Sequence, residues 1–252
     1  MKYAITFVFF FSLFGLLAQN ELAFNKATKA YNEGNYEEAI TYYQEILDSG
    51  QHSAALYFNL GNSYYKLNEI APSIYNYEKA LLLAPGDREI IENLEYARNM
   101  TLDDIDEVPQ TGISRFVNSV TGQLSFDQWA VTAIIFGILF VLLYIAFYFF
   151  RFTTQKRVSF ISSLVALFLC ILSLIFAYVE YLNYKADNPA IIFKEEVVVR
   201  SEPNQRSTEA FVLHEGTKVQ ALETLEDWQK IRLSDGKTGW VPEDVIQLLK
   251  DY

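Results

Sequence analysis

Metal binding or nucleophilic catalysis by this chain would have to start from two histidines, His52 and His214, or from one cysteine, Cys170. A zinc site gathers His, Cys or carboxylate ligands at short, recurrent spacings. Neither histidine has a second His, a Cys or a cluster of acids at such a spacing, so no metal site is expected. Cys170 sits inside an uncharged apolar run, which lacks the electropositive surroundings that make a reactive thiolate. A small packing residue is the reading there, and a single cysteine cannot form an intrachain disulfide. Gly236-Lys237-Thr238 has the ending of a phosphate-binding loop, yet Ile231 stands where that loop needs its first glycine. The triplet also falls in a hairpin signal rather than ahead of a helix. No Gly-x-Ser-x-Gly elbow and no Cys/His pairing occurs, and acids such as Glu37 and Glu38 read as a solvated helix face. The expectation is a non-enzymatic protein without a cofactor.

Binding chemistry is better represented. Residues 20–53 and 54–87 align at a period of 34, with Gly34 over Asn68, Ala39 over Ser73, Ile40 over Ile74, Tyr43 over Tyr77 and Leu47 over Leu81. Each unit reads as two amphipathic helices joined by a tight turn at Gly34 or Asn68. Small residues at Ala27, Gly61, Ala39 and Ser73 let the paired helices approach closely. The second unit, with Tyr57, Leu60, Gly61, Tyr64, Tyr77, Ala80 and Pro85, resembles the tetratricopeptide repeat. The first keeps Ala27, Gly34, Tyr36, Ala39 and Tyr43 but has Ile46 and Gln51 where the pattern prefers Ala and Pro. Residues 88–100, with Ile90, Ile91, Leu94 and Ala97 at helical spacing, read as a capping helix. The resemblance implies a short α-helical solenoid over 20–100 whose first helices line a concave, partner-binding groove. Carried over by position, that groove consists of Phe24, Thr28, Tyr31, Phe58, Asn62, Tyr65, Lys66 and Tyr96, suited to an extended peptide or a helix. Packing between repeats is the competing role for each of these aromatics.

The hydrophobic surplus is concentrated in three blocks. Residues 4–17 follow Met1-Lys2 and end at Ala18-Gln19, the pattern of a signal peptide over 1–18, with an uncleaved anchor as the alternative. Residues 129–150 and 158–179 are each 22 residues without a charge, about 33 Å as a helix against a hydrocarbon core of about 30 Å. Both read as transmembrane helices. The intervening 151–157 carries Arg151, Lys156 and Arg157 and no acid, which places that loop in the cytoplasm and both flanks outside. The flanks are acidic: 16 acids against 7 bases over 20–126, and 14 against 9 over 180–252. Nucleic acid, which selects for a Lys/Arg surplus, is therefore an unlikely ligand. The linker 101–125 carries "DDIDE", Pro109, Gly112 and Gly122, and within it "ISRFVNSV" reads as a short amphipathic piece lying on a membrane surface.

Beyond the second apolar run the period changes from helical to strand-like. "VVVRSEP", "AFVLHEGTKVQALE" and "WQKIRLSDGKTGWVP" are short β-branched or aromatic runs, and Asp235-Gly236 marks a hairpin. Residues 189–252 are similar to the bacterial SH3-like domain, an all-β barrel, through Val198 to Pro203, Leu213 to Val219, Trp228 to Ile231 and Asp235 to Val241. Phe211, Trp228 and Trp240 are the candidate ligand surface, with core or turn packing as the alternative.

The order of parts resembles the BatE-type aerotolerance-operon proteins: signal peptide, tetratricopeptide repeats, two transmembrane helices joined by a basic loop, and a bacterial SH3-like domain. That resemblance implies a bacterial inner-membrane, periplasm-facing adaptor. Its implied partners are von Willebrand A-type membrane proteins and a MoxR-type ATPase complex of the same operon. A peptidoglycan-binding role for the SH3-like domain is the alternative.

Overall fold

The computed structural model describes residues 21–105 and 112–250. The expected signal peptide and the stretch 106–111 of the linker lie outside the described residues. The chain divides into two units, one combining the segment before residue 108 with that after 187, the other comprising residues 108–187.

In the first unit five helices follow one another: α1 (21–32), α2 (Tyr36–Asp48), α3 (Ala54–Lys66), α4 (Ile70–Leu83) and α5 (Arg88–Arg98). The ends are set locally. Ser53 Oγ accepts the Leu56 amide at the start of α3, and the Asp87 carboxylate accepts the Glu89 and Ile90 amides at the start of α5. Gly34 and Asn68, one period apart, both take positive φ, as the tight-turn reading requires. Each helix packs on its chain neighbours around two clusters. One gathers Ala27, Ala39, Tyr43, Leu56 and Leu60, the other Tyr57, Ile74, Tyr77, Ile90 and Leu94. Gly61 makes the closest helix crossing: a Cβ there would lie 2.6 Å from the Tyr77 ring. Ser73 donates to the Gly61 carbonyl at 3.0 Å across the same crossing.

The tail adds β1 (Pro189–Ile192), β2 (Glu196–Arg200), β3 (Glu209–His214), β4 (Lys218–Leu225), β5 (Trp228–Arg232), β6 (Thr238–Pro242) and β7 (Ile246–Leu248). They form one antiparallel sheet in the order β3-β2-β6-β5-β4-β1-β7. Register shifts in β2 at Val199/Arg200 and in β4 between Ala221 and Thr224 accompany its curvature. Alternate residues Val197, Val199, Val219, Ile231 and Val241 close on a common core.

The second unit contains α6 (Gly112–Thr121), α7 (Phe126–Phe149) and α8 (Thr153–Ala186). Both long helices are long and apolar enough to cross a membrane. α7 opens on a capping box between Ser125 and Gln128. Small residues lie at the α7/α8 contact: Ala133, Ser159, Ser163, Ala166 and Ser173 are buried, and Ser159 Oγ donates to the Leu143 carbonyl at 2.7 Å. The helix boundaries differ from those expected of the apolar runs. α8 starts at Thr153 and continues to Ala186, so Lys156 and Arg157 lie on its first turns and only 150–152 form the bend. No helix breaker interrupts "TTQKR", and past Val179 the polar sequence still favours helix, so the helix outlasts the apolar stretch.

Candidate functional site

The predicted groove residues fall into three groups. Phe24 and Thr28 pack at the first crossing: the Phe24 ring meets Tyr43 edge-on at 5.5 Å, and Thr28 Oγ1 shares a hydrogen bond with the Tyr43 hydroxyl at 3.2 Å. Phe58 likewise lies against Tyr77, with ring centres 5.9 Å apart. These three act mainly as packing.

Asn62 meets the Tyr77 hydroxyl, which donates to its Oδ1 at 2.6 Å, while Tyr31 on α1 and Tyr65 on α3 are half-buried. Asn93 Nδ2 donates to the same oxygen at 3.2 Å. With Oδ1 engaged twice, the amide of Asn62 is held in one orientation. Burial, together with the phenols of Tyr31 and Tyr65, pushes the Tyr77 hydroxyl well above the ordinary tyrosine range, so it remains a donor at every physiological pH. Lys66 and Tyr96 are exposed on the same helices, Tyr96 at 62 %. The first-helix face thus presents a fixed amide, half-buried phenols and one ammonium.

The opposite side of the repeats is covered by the sheet, a contact that spacing alone did not reveal. In β1 all four residues are buried. Ala190 and Ile192 face the core of the sheet, whereas Ile191 joins Leu249 in the cluster of Ile74, Tyr77 and Leu94. A strand covered on both faces reads as a continuous apolar run, and "PAIIF" is such a run. Helix α4 shows the same double cover, for Asn76, Glu78 and Lys79 are buried along with its apolar positions.

Polar contacts fix the joint. Glu78, with its side chain 7 % exposed, accepts from Arg98 of α5 and from Lys218 Nζ of β4 at 2.8 Å. Asp103, just after α5, accepts from the His214 amide at 2.7 Å, from His214 Nδ1 at 2.7 Å and from the Thr217 hydroxyl. Burial opposes the charged form of Asp103, but the hydrogen bonds from His214 and Thr217 outweigh it and hold the carboxyl below its ordinary range. Tyr75 donates to the Leu248 carbonyl and meets Phe193 edge-on at 5.6 Å. Gly216, at φ +83°, permits the closest approach: a Cβ there would lie 2.8 Å from Thr101 and 3.0 Å from Ile74. A cleft of about 490 Å³ opens beside the joint, walled by Tyr57, Tyr64, Tyr75 and Lys79 from the helices and by Phe193 and Gln247 from the tail. His52 lines it too, stacked on Tyr57, and so neither histidine stands in a cluster that could hold a metal among the described residues.

On the sheet, the three predicted surface aromatics separate. Phe211 pairs with Val199 and packs against the core, because the register turns it inward. Trp228 and Trp240 lie on the outer face, where Arg200, Trp240 and Lys230 are cross-strand neighbours and the Lys230 ammonium sits 5.4 Å from the Trp240 ring centre. Lys237, from the phosphate-loop-like triplet, pairs with Asp235 inside the hairpin.

Comparison with protein families finds two matches. Residues 54–87 match the tetratricopeptide repeat, and residues 195–247 match the bacterial SH3 domain. The first match covers the second helix pair only. No curated protein matches the chain.

Proposed function

We propose that this protein is a non-enzymatic membrane adaptor. It presents the repeat groove to a protein partner while the SH3-like domain braces the repeats from behind. The observation that carries this reading is the division of faces: the sheet covers α4, and the first-helix face with Tyr31, Asn62, Tyr65 and Lys66 stays open. Docking of the tail on the repeats also bears on topology. Two segments that touch must share one side of a bilayer, which requires an even number of crossings between them, and α7 and α8 supply two. The bases Arg151, Lys156 and Arg157 at the bend favour its cytoplasmic placement, with the docked domains in the periplasm of a bacterial inner membrane. By its resemblance to BatE-type proteins, the partners are von Willebrand A-type membrane proteins and the MoxR-type ATPase complex. The test is recovery of the intact protein from its native membrane in detergent, with bound proteins identified by mass spectrometry. Recovery of such membrane proteins from the wild type and their loss from Tyr65→Ala/Lys66→Ala, with insertion intact, is the expected result. Unchanged recovery would refute the groove assignment.

A second reading, peptidoglycan binding, is favoured by the outer face of the sheet, where Trp228 and Trp240 lie beside Arg200 and Lys230. It predicts that the full chain sediments with purified sacculi and that Trp240→Ala abolishes this.

A further inference from the structure

The segment preceding the first apolar helix forms α6, Gly112–Thr121. Its sequence divides into two faces at helical spacing. Ile113, Phe116, Val117 and Val120 recur at i, i+3, i+4 and i+7, while Ser114, Arg115, Asn118 and Ser119 fill the opposite arc. Val117 is 39 % exposed, so the second unit covers it only in part. A ten-residue helix of this composition is too short to be stable alone in water, and its apolar arc requires an apolar surface.

Position indicates which surface. Only four residues separate α6 from α7, and the Trp129 indole in the first turn of α7 donates to the Thr121 carbonyl at 2.7 Å. That bond ties the end of α6 to the end of the apolar helix. Aromatic residues mark the same level: Phe126 packs on Tyr181 and Tyr184, and Trp129 on Phe176, all within the second unit. A second set, Tyr144, Phe147 and Tyr148, lies near the far end of α7. From Trp129 to Tyr148 the helix rises about 28 Å, the thickness of a hydrocarbon core of about 30 Å with aromatics at both boundaries. Trp129, and with it the C-terminus of α6, therefore stands at one boundary.

We infer that α6 is a membrane-surface helix, lying in the plane of the bilayer with its apolar arc, marked by Val117 and Val120, in the acyl boundary and its polar arc toward the headgroups. This rests on the reading of α7 and α8 as membrane-spanning. Within α6 the one charged residue is Arg115, so attraction to anionic lipid contributes little and apolar insertion dominates.

The test uses the full chain carrying Cys170→Ala, with single nitroxide labels at Val117→Cys, Ser119→Cys or Ile138→Cys, reconstituted in phosphatidylcholine vesicles. Collision with oxygen, which concentrates in lipid, is compared with collision with a water-soluble nickel chelate. The ratio for the Val117 label should exceed that for the Ser119 label several-fold and stay the same when anionic phosphatidylglycerol is added. The Ile138 label, mid-way along α7, should be the most oxygen-dominated. Equal, water-like ratios at Val117 and Ser119 with Ile138 still deep would overturn the surface helix and leave the spanning helices standing. A lipid signal at Val117 that appears only with phosphatidylglycerol would overturn apolar insertion. A water-like ratio at Ile138 would remove the spanning reading and this inference with it.

Discussion

Glu78 is the residue whose removal should most directly loosen the two docked domains. Its carboxylate lies between two cations from different elements, Arg98 of α5 and Lys218 of β4. Two unit charges 4 Å apart at an effective dielectric of about 20 attract by about 4 kcal/mol. Two corrections reduce this. Burying Glu78 costs several kcal/mol, and the side chains of Lys218 and Arg98, 39 % and 47 % exposed, keep one end in water where screening acts. A net coupling of about 1–2 kcal/mol per pair remains. Glu78→Gln keeps shape and volume and removes both pairs, but only the Lys218 pair crosses the joint, so docking should weaken by about 1–2 kcal/mol, about a 5- to 30-fold shift toward the undocked state. Urea unfolding of the full chain carrying Trp129→Phe in detergent measures this, with the change in helix signal for the repeats and fluorescence of Trp228 and Trp240 for the sheet. In the wild type both probes should report a single midpoint, which Glu78→Gln lowers. A cycle with Lys218→Gln should return a coupling of about 1 kcal/mol. A coupling within about 0.3 kcal/mol of zero, or separate midpoints for the two probes in the wild type, would refute the claim that Glu78 joins the domains.

Three further outcomes follow from the same geometry. Because the Asp103 carboxyl is held below its ordinary value in the docked state, its contribution is present above the unfolded carboxylate pKa of about 4 and is lost as pH falls through the folded value. Acid titration of docking in the wild type should therefore show a loss below about pH 4 that Asp103→Asn flattens, with docking weakened at neutral pH. Gly216→Ala places a Cβ against Thr101 and Ile74 in a left-handed backbone conformation, and should cost about 2 kcal/mol or more of docking free energy in the urea assay. Gly61→Ala gains about 1 kcal/mol of helix propensity but drives the Tyr77 ring from its seat and breaks its bond to Asn62. Overpacking of about 1–3 kcal/mol should win, seen as a lower melting temperature and weaker partner recovery.

How much of this the sequence disclosed depended on the range of the contact. Turns, caps and helix pairs are local, so the 34-residue period, the Asp235-Gly236 hairpin and the two apolar runs locate their elements directly. The joint is not local: Glu78 and Lys218 lie 140 positions apart, and Asp103 and Thr217 lie 114 apart. Glu78 and Lys79 on an amphipathic helix look like a solvated face until a second domain covers them. The traces were faint. "PAIIF" lacks the alternation of a half-exposed strand, and the charged α4 carries apolar residues on too many sides for a helix with one buried face. Phe211 takes the alternative of core packing for a related reason. An aromatic in a strand signals a pleated surface without saying which face, and only the pairing with Val199 sets it inward.

The joint also alters what two binding domains in one chain can achieve. Domains tethered by a flexible linker bind independently, and the second event gains only the effective concentration that the linker allows. Here Ile191 and Leu249 are fully buried against the repeats, and each such side chain contributes about 1.5–3 kcal/mol to keeping the domains docked. The groove around Asn62 and the outer face around Trp240 are consequently surfaces of one body, held apart at a fixed distance and orientation. On the proposed reading, a ligand on the first-helix face would not compete with the sheet for α4, so binding would need neither undocking nor the ordering cost of a loose second domain. Two helix pairs, one of which matches the tetratricopeptide repeat, bury additional apolar surface against the other domain of the same chain. Removing the tail should therefore cost the helical repeats their stability as well. For that reason the groove and the sheet are best separated by point substitutions at Tyr65 and Trp240 in the intact protein.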